Sequence, residues 1–375
     1  MQLNFPGNPR LKALLELALQ NGSLAGSYLF EGSPGSGQEL AALELAACRI
    51  SGSMARDDDQ FQRVLRFAHP DLLFVQPMVA PTGKSFGAMN EEELLGLIRE
   101  YQGRKQKDPL LQPAFSGKPH ISIKAVRAVR KELSSQPFEG EGRALIIRGA
   151  DTLDAAAQDA LLKTLEEPPP GSLIILISYR PEALRPTILS RCQRLPFEAL
   201  EKETVEGILR ERGLAEERAR FFASLSAGDL EEAAKLQASE SEDGNPLLER
   251  RKEWFRFLDC CEFGTEVEMM DAVQDFTRTK AGQGNLTQSR ADFLSLAIDW
   301  YRDLLGLRGG ESSLRVHVDQ EDRLPRYENL DAGALADRIQ SVEKARDQIL
   351  RYANANLTFL ALFFRLRSIR SSLHA

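Results

Sequence analysis

The sequence predicts an α/β domain followed by helices alone: a parallel-sheet αβα domain, a small group of short helices, and a helical C-terminal domain. Three patterns carry that prediction. Residues 143–197 alternate between strand-type and helix-type periodicity. Residues 144–147 (ALII) and 173–177 (LIILI) are short unbroken apolar runs, as expected of strands buried on both faces. Between them, residues 155–166 place Ala156, Ala160, Leu161, Thr164 and Leu165 at helical spacing, and Pro168, Pro169 and Pro170 end that helix. Strand, helix and strand in this order make a βαβ unit with parallel strands, followed by a short charged exit. The second pattern is three short amphipathic segments, 201–213, 214–227 and 228–238. In the third, apolar stripes at helical spacing recur from residue 246 to the end, beyond a polar linker at 239–245 (SESEDGN).

A chain of 375 residues with 42 % hydrophobic and 27 % charged residues has ample material for two or three domains. The reading places them at 1–198, 199–240 and 246–375. A formal charge of −7, from 48 basic and 55 acidic residues, argues against a strongly basic nucleic-acid binder. Cys48, Cys192, Cys260 and Cys261 lack metal-ligand spacing, and no metal is expected. No apolar run is long enough to span a membrane and no signal peptide precedes Asn4, so the expected location is cytoplasmic.

In order along the chain, Leu11, Leu14, Leu15, Ala18 and Leu19 form a helical face, and residues 27–31 (SYLFE) read as a strand. Gly32, Gly35 and Gly37 then lead through Gln38 and Glu39 into an apolar helix at 40–50. This is the outline of a phosphate loop without its chemistry. A working loop has Lys where Gln38 stands, to meet the phosphates, and Ser or Thr where Glu39 stands, to hold magnesium. Glu39 would also set a negative charge at a helix start that otherwise attracts anions. The expectation is a degenerate loop whose glycines serve the backbone.

Residues 61–67 read as a short helix, His69 as a turn residue, and 72–76 as a strand. Residues 77–119 read as an inserted surface excursion with one helix at 91–101. Its GRKQK run (103–107) is expected to be a solvated basic loop, with contact to DNA phosphate as the alternative. Residues 81–85 (PTGKS) lack the glycine spacing of a phosphate loop. A helix follows from 121 to about 135.

Residues 160–169 (ALLKTLEEPP) and 186–193 (PTILSRCQ) carry a resemblance. They are similar to the core of the clamp-loader AAA+ ATPase family, whose subunits open a sliding clamp for a replicative DNA polymerase. The resemblance implies an AAA+ domain, a three-helix lid and a helical collar. It sets Arg148 and Gly149 where active members carry two acidic residues for magnesium and water. Ser178 falls at a polar nucleotide-sensing position, and Glu231 where a sensing arginine stands. Asp151, just beyond the lost acidic pair, is left with an N-cap or turn role. Many relatives carry a four-cysteine zinc module; here Cys48 is alone in that region, which excludes one.

Within the family the resemblance is to the non-hydrolysing subunit of the bacterial DNA polymerase III clamp loader. That implies no bound cofactor and no ATPase or polymerase activity of its own. The implied partners are gamma/tau-type and delta-type subunits, with the sliding clamp and primer-template DNA reached through the assembled complex. Arg191, in the Ser190-Arg191-Cys192 motif, is then expected to act in trans on a neighbour's ATP, the alternative being a structural pair with a nearby carboxylate at the domain edge. Two alternatives stay open: an ATP-hydrolysing gamma/tau-type motor, and a helical scaffold outside replication.

In the last domain Trp254, Phe255, Leu258 and Cys261 share one face, and Phe293, Leu296, Ala297, Trp300, Leu304 and Leu307 another. Residues 309–322 read as an exposed break. Leu357, Leu360, Ala361 and Phe364 mark a stripe on the final helix that belongs either to the core or to a subunit interface.

Overall fold

The computed structural model describes residues 3–110, 119–240, 245–278, 286–309, 316–351 and 353–371. The predicted linker (241–244) and break (310–315) fall partly outside them, as do residues 111–118 of the excursion. The chain divides into two compact units, one of residues 1–213 with 227–235, the other of 214–226 with 236–375.

The first unit opens with α1 (Pro9–Gln20), β1 (Ser27–Gly32), α2 (Gln38–Ser51), α3 (Asp59–Leu65), β2 (Leu72–Val75) and α4 (Glu91–Lys105). It continues with α5 (Ile123–Leu133), β3 (Arg143–Arg148), α6 (Ala155–Glu166), β4 (Ser172–Ser178), α7 (Pro186–Leu189), β5 (Gln193–Phe197) and α8 (Lys202–Glu211). The strands form one parallel sheet in the order β2-β3-β4-β1-β5. Side chains alternate along each strand, so the apolar runs feed two cores. Leu145, Ile147, Ile174 and Leu176 pack with α4, α5 and α6 on one face. Ala144, Ile146, Ile175 and Ile177 pack with α1, α2 and α3 on the other.

Two expectations change here. The charged exit after β4 contains a fifth strand: β5 pairs with β1, burying Leu195 and Phe197 and leaving Pro196 on the sheet edge, where a missing N–H costs no ladder bond. The excursion is also more than surface. Leu94, Leu97, Ile98 and Tyr101 of α4 lie in the core beside β2, and the base of the excursion is closed by a two-way bridge between Met78 and His120. Their spacing is that of one helical face. His69 keeps the expected turn role, its Nδ1 accepting the Asp71 N–H, and is fully buried.

The second unit contains α9 (Glu216–Leu225), α11 (Pro246–Phe263), α12 (Glu266–Arg278), α13 (Leu286–Arg308), α14 (Ala332–Leu350) and α15 (Ala355–Ser371). The intervening α10 (Leu230–Ala238) starts in the first unit and ends in the second. Phe255, Leu258, Phe293, Trp300 and Leu304 are core residues, as the predicted faces require. One reading is corrected and one that stood open is narrowed. His317 and Gln320, inside the predicted exposed break, are buried; two backbone N–H groups, of Val316 and His317, donate to Asp303. On α15 the core face is Phe359, Leu362, Phe363 and Leu366, whereas Leu357, Ala361 and Phe364 are exposed. This helix is apolar most of the way round, so periodicity offered two faces and only packing chose between them.

Candidate functional site

The loop read as a phosphate-loop outline joins β1 to α2. Gly35 has φ +66°, and a Cβ there would collide with the Asp229 carboxylate; its carbonyl accepts the Leu230 N–H at 3.1 Å. Glycine therefore lets the segment before α10 approach the loop. Gln38 does not reach outward as a phosphate-binding lysine would. Its buried side chain turns back and donates Nε2–H to the Ser33 carbonyl at 2.8 Å, an acceptor shared with the Ser36 hydroxyl.

The three charged replacements lie together. Glu39 Oε1 is 2.6 Å from Lys105 Nζ, and Glu39 Oε2 is 3.1 Å from Arg148 Nε. Arg148 Nη2 donates to Glu231 Oε2 at 2.7 Å, and its guanidinium lies over the Tyr179 ring, 5.3 Å from the centroid. Lys105 also donates to the Pro109 carbonyl at 2.5 Å and stands over Phe67. The four side chains are between 1 % and 12 % exposed.

Burying four charges is costly unless signs alternate and contacts are close; here two cations and two anions alternate along one chain of contacts. Burial by itself would lower the Arg148 guanidinium. The facing Glu231, Tyr179 and Glu39 outweigh it and hold Arg148 above its ordinary value. Burial pushes Glu231 up, an effect that Arg148 offsets only in part. The space left among Gly35, Gly37, Glu39, Pro109, Leu230 and Glu231 is about 10 Å³, room for one water and far below the several hundred Å³ of a small-molecule site.

The remaining predicted residues are placed as follows. Gly149 follows Arg148 in a left-handed turn. Ser178 is buried at the end of β4 and faces Asp151. Asp151 uses its carboxylate on the residues that follow β4, not in its own turn, accepting from the Tyr179 N–H and Arg180 Nε, each at 3.2 Å; Asp154 is the residue that caps α6. Cys192 is buried, and burial pushes its thiol up to about 12, so it packs as an apolar group. Arg191 donates Nε–H to Glu166 at 2.5 Å and Nη1–H to the Thr187 carbonyl at 2.9 Å, and Ser190 bonds the same carbonyl. Ser190, Arg191 and Cys192 therefore make these contacts outside the Glu39–Arg148 network.

Sequence reasoning missed Lys105, which it assigned to a solvated basic run. Lys105 continues the buried stripe of α4 at 94, 98 and 101, and that register was the available signal.

Residues 7–201 match the family described as DNA polymerase III, delta subunit. The chain belongs to this family. It is 30 % identical over 236 residues to the DNA polymerase III subunit delta' of Bacillus subtilis (strain 168), an alignment covering 62 % of this chain and 60 % of the relative. It is 36 % identical over 114 residues to the subunit delta' of Escherichia coli (strain K12), covering 30 % and 34 %. The subunit tau of B. subtilis is 30 % identical over 120 residues, covering 30 % and 21 %. The chain thus spans at most about 60 % of the length of these relatives. The matched stretch contains the 32–39 loop, Arg148 and Arg191; residue 231 and the whole second unit lie beyond it. Among the described residues no group of His, Cys, Asp and Glu is arranged to hold a metal, and no helix is long and apolar enough to cross a membrane.

Proposed function

We propose that this chain is a non-hydrolysing subunit of a cytoplasmic DNA polymerase III clamp loader. It braces gamma/tau-type and delta-type subunits and contributes to opening the sliding clamp at primer-template DNA. The carrying observation is the Glu39–Arg148–Glu231 arrangement: two positions expected to serve magnesium and one expected to sense nucleotide are committed to one another. Residues 199–240 serve as its lid and 246–375 as its collar, and the exposed Leu357 and Phe364 suit a subunit interface.

The arginine-finger role of Arg191 belongs to this reading. Its side chain is 30 % exposed and its acidic partner, Glu166, is 46 % exposed, so release from that pair costs little. A planar guanidinium suits phosphate oxygens that gain charge during transfer. The similarity to tau subunits keeps the motor reading as the competitor; the filled cleft weighs against it.

Two measurements test the proposal. Calorimetry with ATP and magnesium at micromolar protein should show neither tight binding nor turnover; saturable sub-micromolar binding with hydrolysis would sink the non-hydrolysing reading. Mixing the full chain with the clamp-loader subunits of the same organism should yield one co-eluting complex. A persistent monomer would favour the scaffold reading.

A further inference from the structure

We propose that Lys105, delivered by the 77–119 excursion, completes an internal latch that fills the cleft and pins residues 227–235 to the αβ layers without nucleotide. The inference rests on reading the cleft as a former nucleotide site, and it gives the excursion a function. Four elements distant in sequence each supply one charge: Glu39 the start of α2, Lys105 the end of α4, Arg148 the end of β3 and Glu231 the start of α10. The excursion closes the cleft in two further ways. Pro109 and Leu110 line its remaining space, and Asp108 pairs with Arg212, just after α8, at 2.5 Å. The pinned segment is held by the Leu230 N–H to Gly35 carbonyl bond, and Asp229 orders it by accepting from the Glu231 and Glu232 N–H groups.

The order of charges makes Lys105 the remote end of the latch. Its ion-pair partner in the network is Glu39, and Arg148 bridges Glu39 to Glu231. With Lys105 neutral, Glu39 and Glu231 would share one cation. Their mutual repulsion, unbalanced in a site this buried, falls on the Arg148–Glu231 contact. A Lys105 change therefore loosens 227–235 through the network.

Backbone hydrogen exchange of the full chain tests this. Lys105→Met should speed exchange of the 227–235 amides, the Leu230 N–H above all, by roughly tenfold or more. The amides of β1, β3 and β4 should stay as in the wild type. Adding Glu39→Gln removes one charge of the opposite sign and should return exchange most of the way. Lys107→Met, an exposed lysine in the same run, should do nothing. Exchange at 227–235 that stays within about twofold of wild type in Lys105→Met, that rises equally in the strands, or that Glu39→Gln does not restore overturns the latch.

Should Lys105→Met fail to fold, Glu231→Gln carries the same test from the other end: faster exchange confined to 227–235 supports the latch and unchanged exchange overturns it. Titrating the wild type with magnesium ATP separates the two ideas. Saturable binding overturns the reading of the cleft, whereas silent calorimetry with unchanged variant exchange overturns the latch alone.

Discussion

Replacing Asp71 by Asn should unfold the αβ unit at markedly lower denaturant. Asp71 is buried at the foot of β2 and accepts three backbone N–H groups, from Phe138 at 2.7 Å, Glu139 at 3.0 Å and Gly140 at 2.9 Å. Arg143 Nε lies 3.2 Å from the same carboxylate. An amide offers one oxygen where two are in use, and its NH₂ would face donors. At least one N–H loses its acceptor, and Arg143 loses the nearer of its two counter-charges, keeping Glu132 at 3.5 Å. Hydrogen bonds to a charged group are worth about 1.5–3 kcal/mol each, and stripping a buried ion of its partner costs about 3–5 kcal/mol. A loss of about 3–5 kcal/mol is expected.

The pH dependence has a definite sign. Burial pulls Asp71 up, but the three N–H groups and Arg143 outweigh it and hold the carboxyl below its ordinary 3.8. Its contribution is thus complete above pH 3.8 and is lost as pH falls through the lower folded value. The gap between wild type and variant should close in acid. Urea unfolding followed by far-UV circular dichroism measures the loss. Both tryptophans, Trp254 and Trp300, belong to the second unit, so their fluorescence serves as an internal reference. A shift under about 1 kcal/mol, or an equal shift in the tryptophan signal, would refute the reasoning.

Three further outcomes follow. Arg148→Met leaves Glu39 and Glu231 facing each other and should destabilise the first unit by about 3–5 kcal/mol, most of it recovered in Arg148→Met/Glu231→Met, where Lys105 still neutralises Glu39; denaturant melts of both variants decide it. Arg191→Ala breaks only a part-exposed pair and should cost under about 1 kcal/mol. The assembled complex should nevertheless lose ATPase rate, by on the order of 10³–10⁵ at most, with Arg191→Lys rescuing poorly. Wild-type rates in a fully assembled Arg191→Ala complex would remove the finger role. Burial lowers His317 below its ordinary 6.5 despite the neighbouring Asp303. The folded state then resists a proton that the unfolded chain accepts, so stability present above pH 6.5 should fall as pH drops toward the lowered value. Tryptophan fluorescence melts should show that slope reduced in His317→Gln.

Much of this molecule was legible along the chain, because burial on a helix or strand repeats with a local period. The runs at 144–147 and 173–177 announced a sheet covered on both faces, and the helical spacing of 155–166 between them made the strands parallel. Gln38, Glu39, Arg148, Gly149 and Glu231 were each singled out one by one, the first two from the residue types a phosphate loop needs and the other three from the family resemblance. Tertiary structure alone decided what they do together. Glu39, Lys105, Arg148 and Glu231 are separated by tens of residues, and ion pairing depends on how α2, α4, β3 and α10 are set against one another, a relation that no local period encodes. The same limit left the carboxylate partner of Arg191, Glu166, unnamed and hid the outward turn of Leu357 and Phe364 on α15. A period names the residues that share a face, and only packing determines which face meets water and which charge meets its opposite.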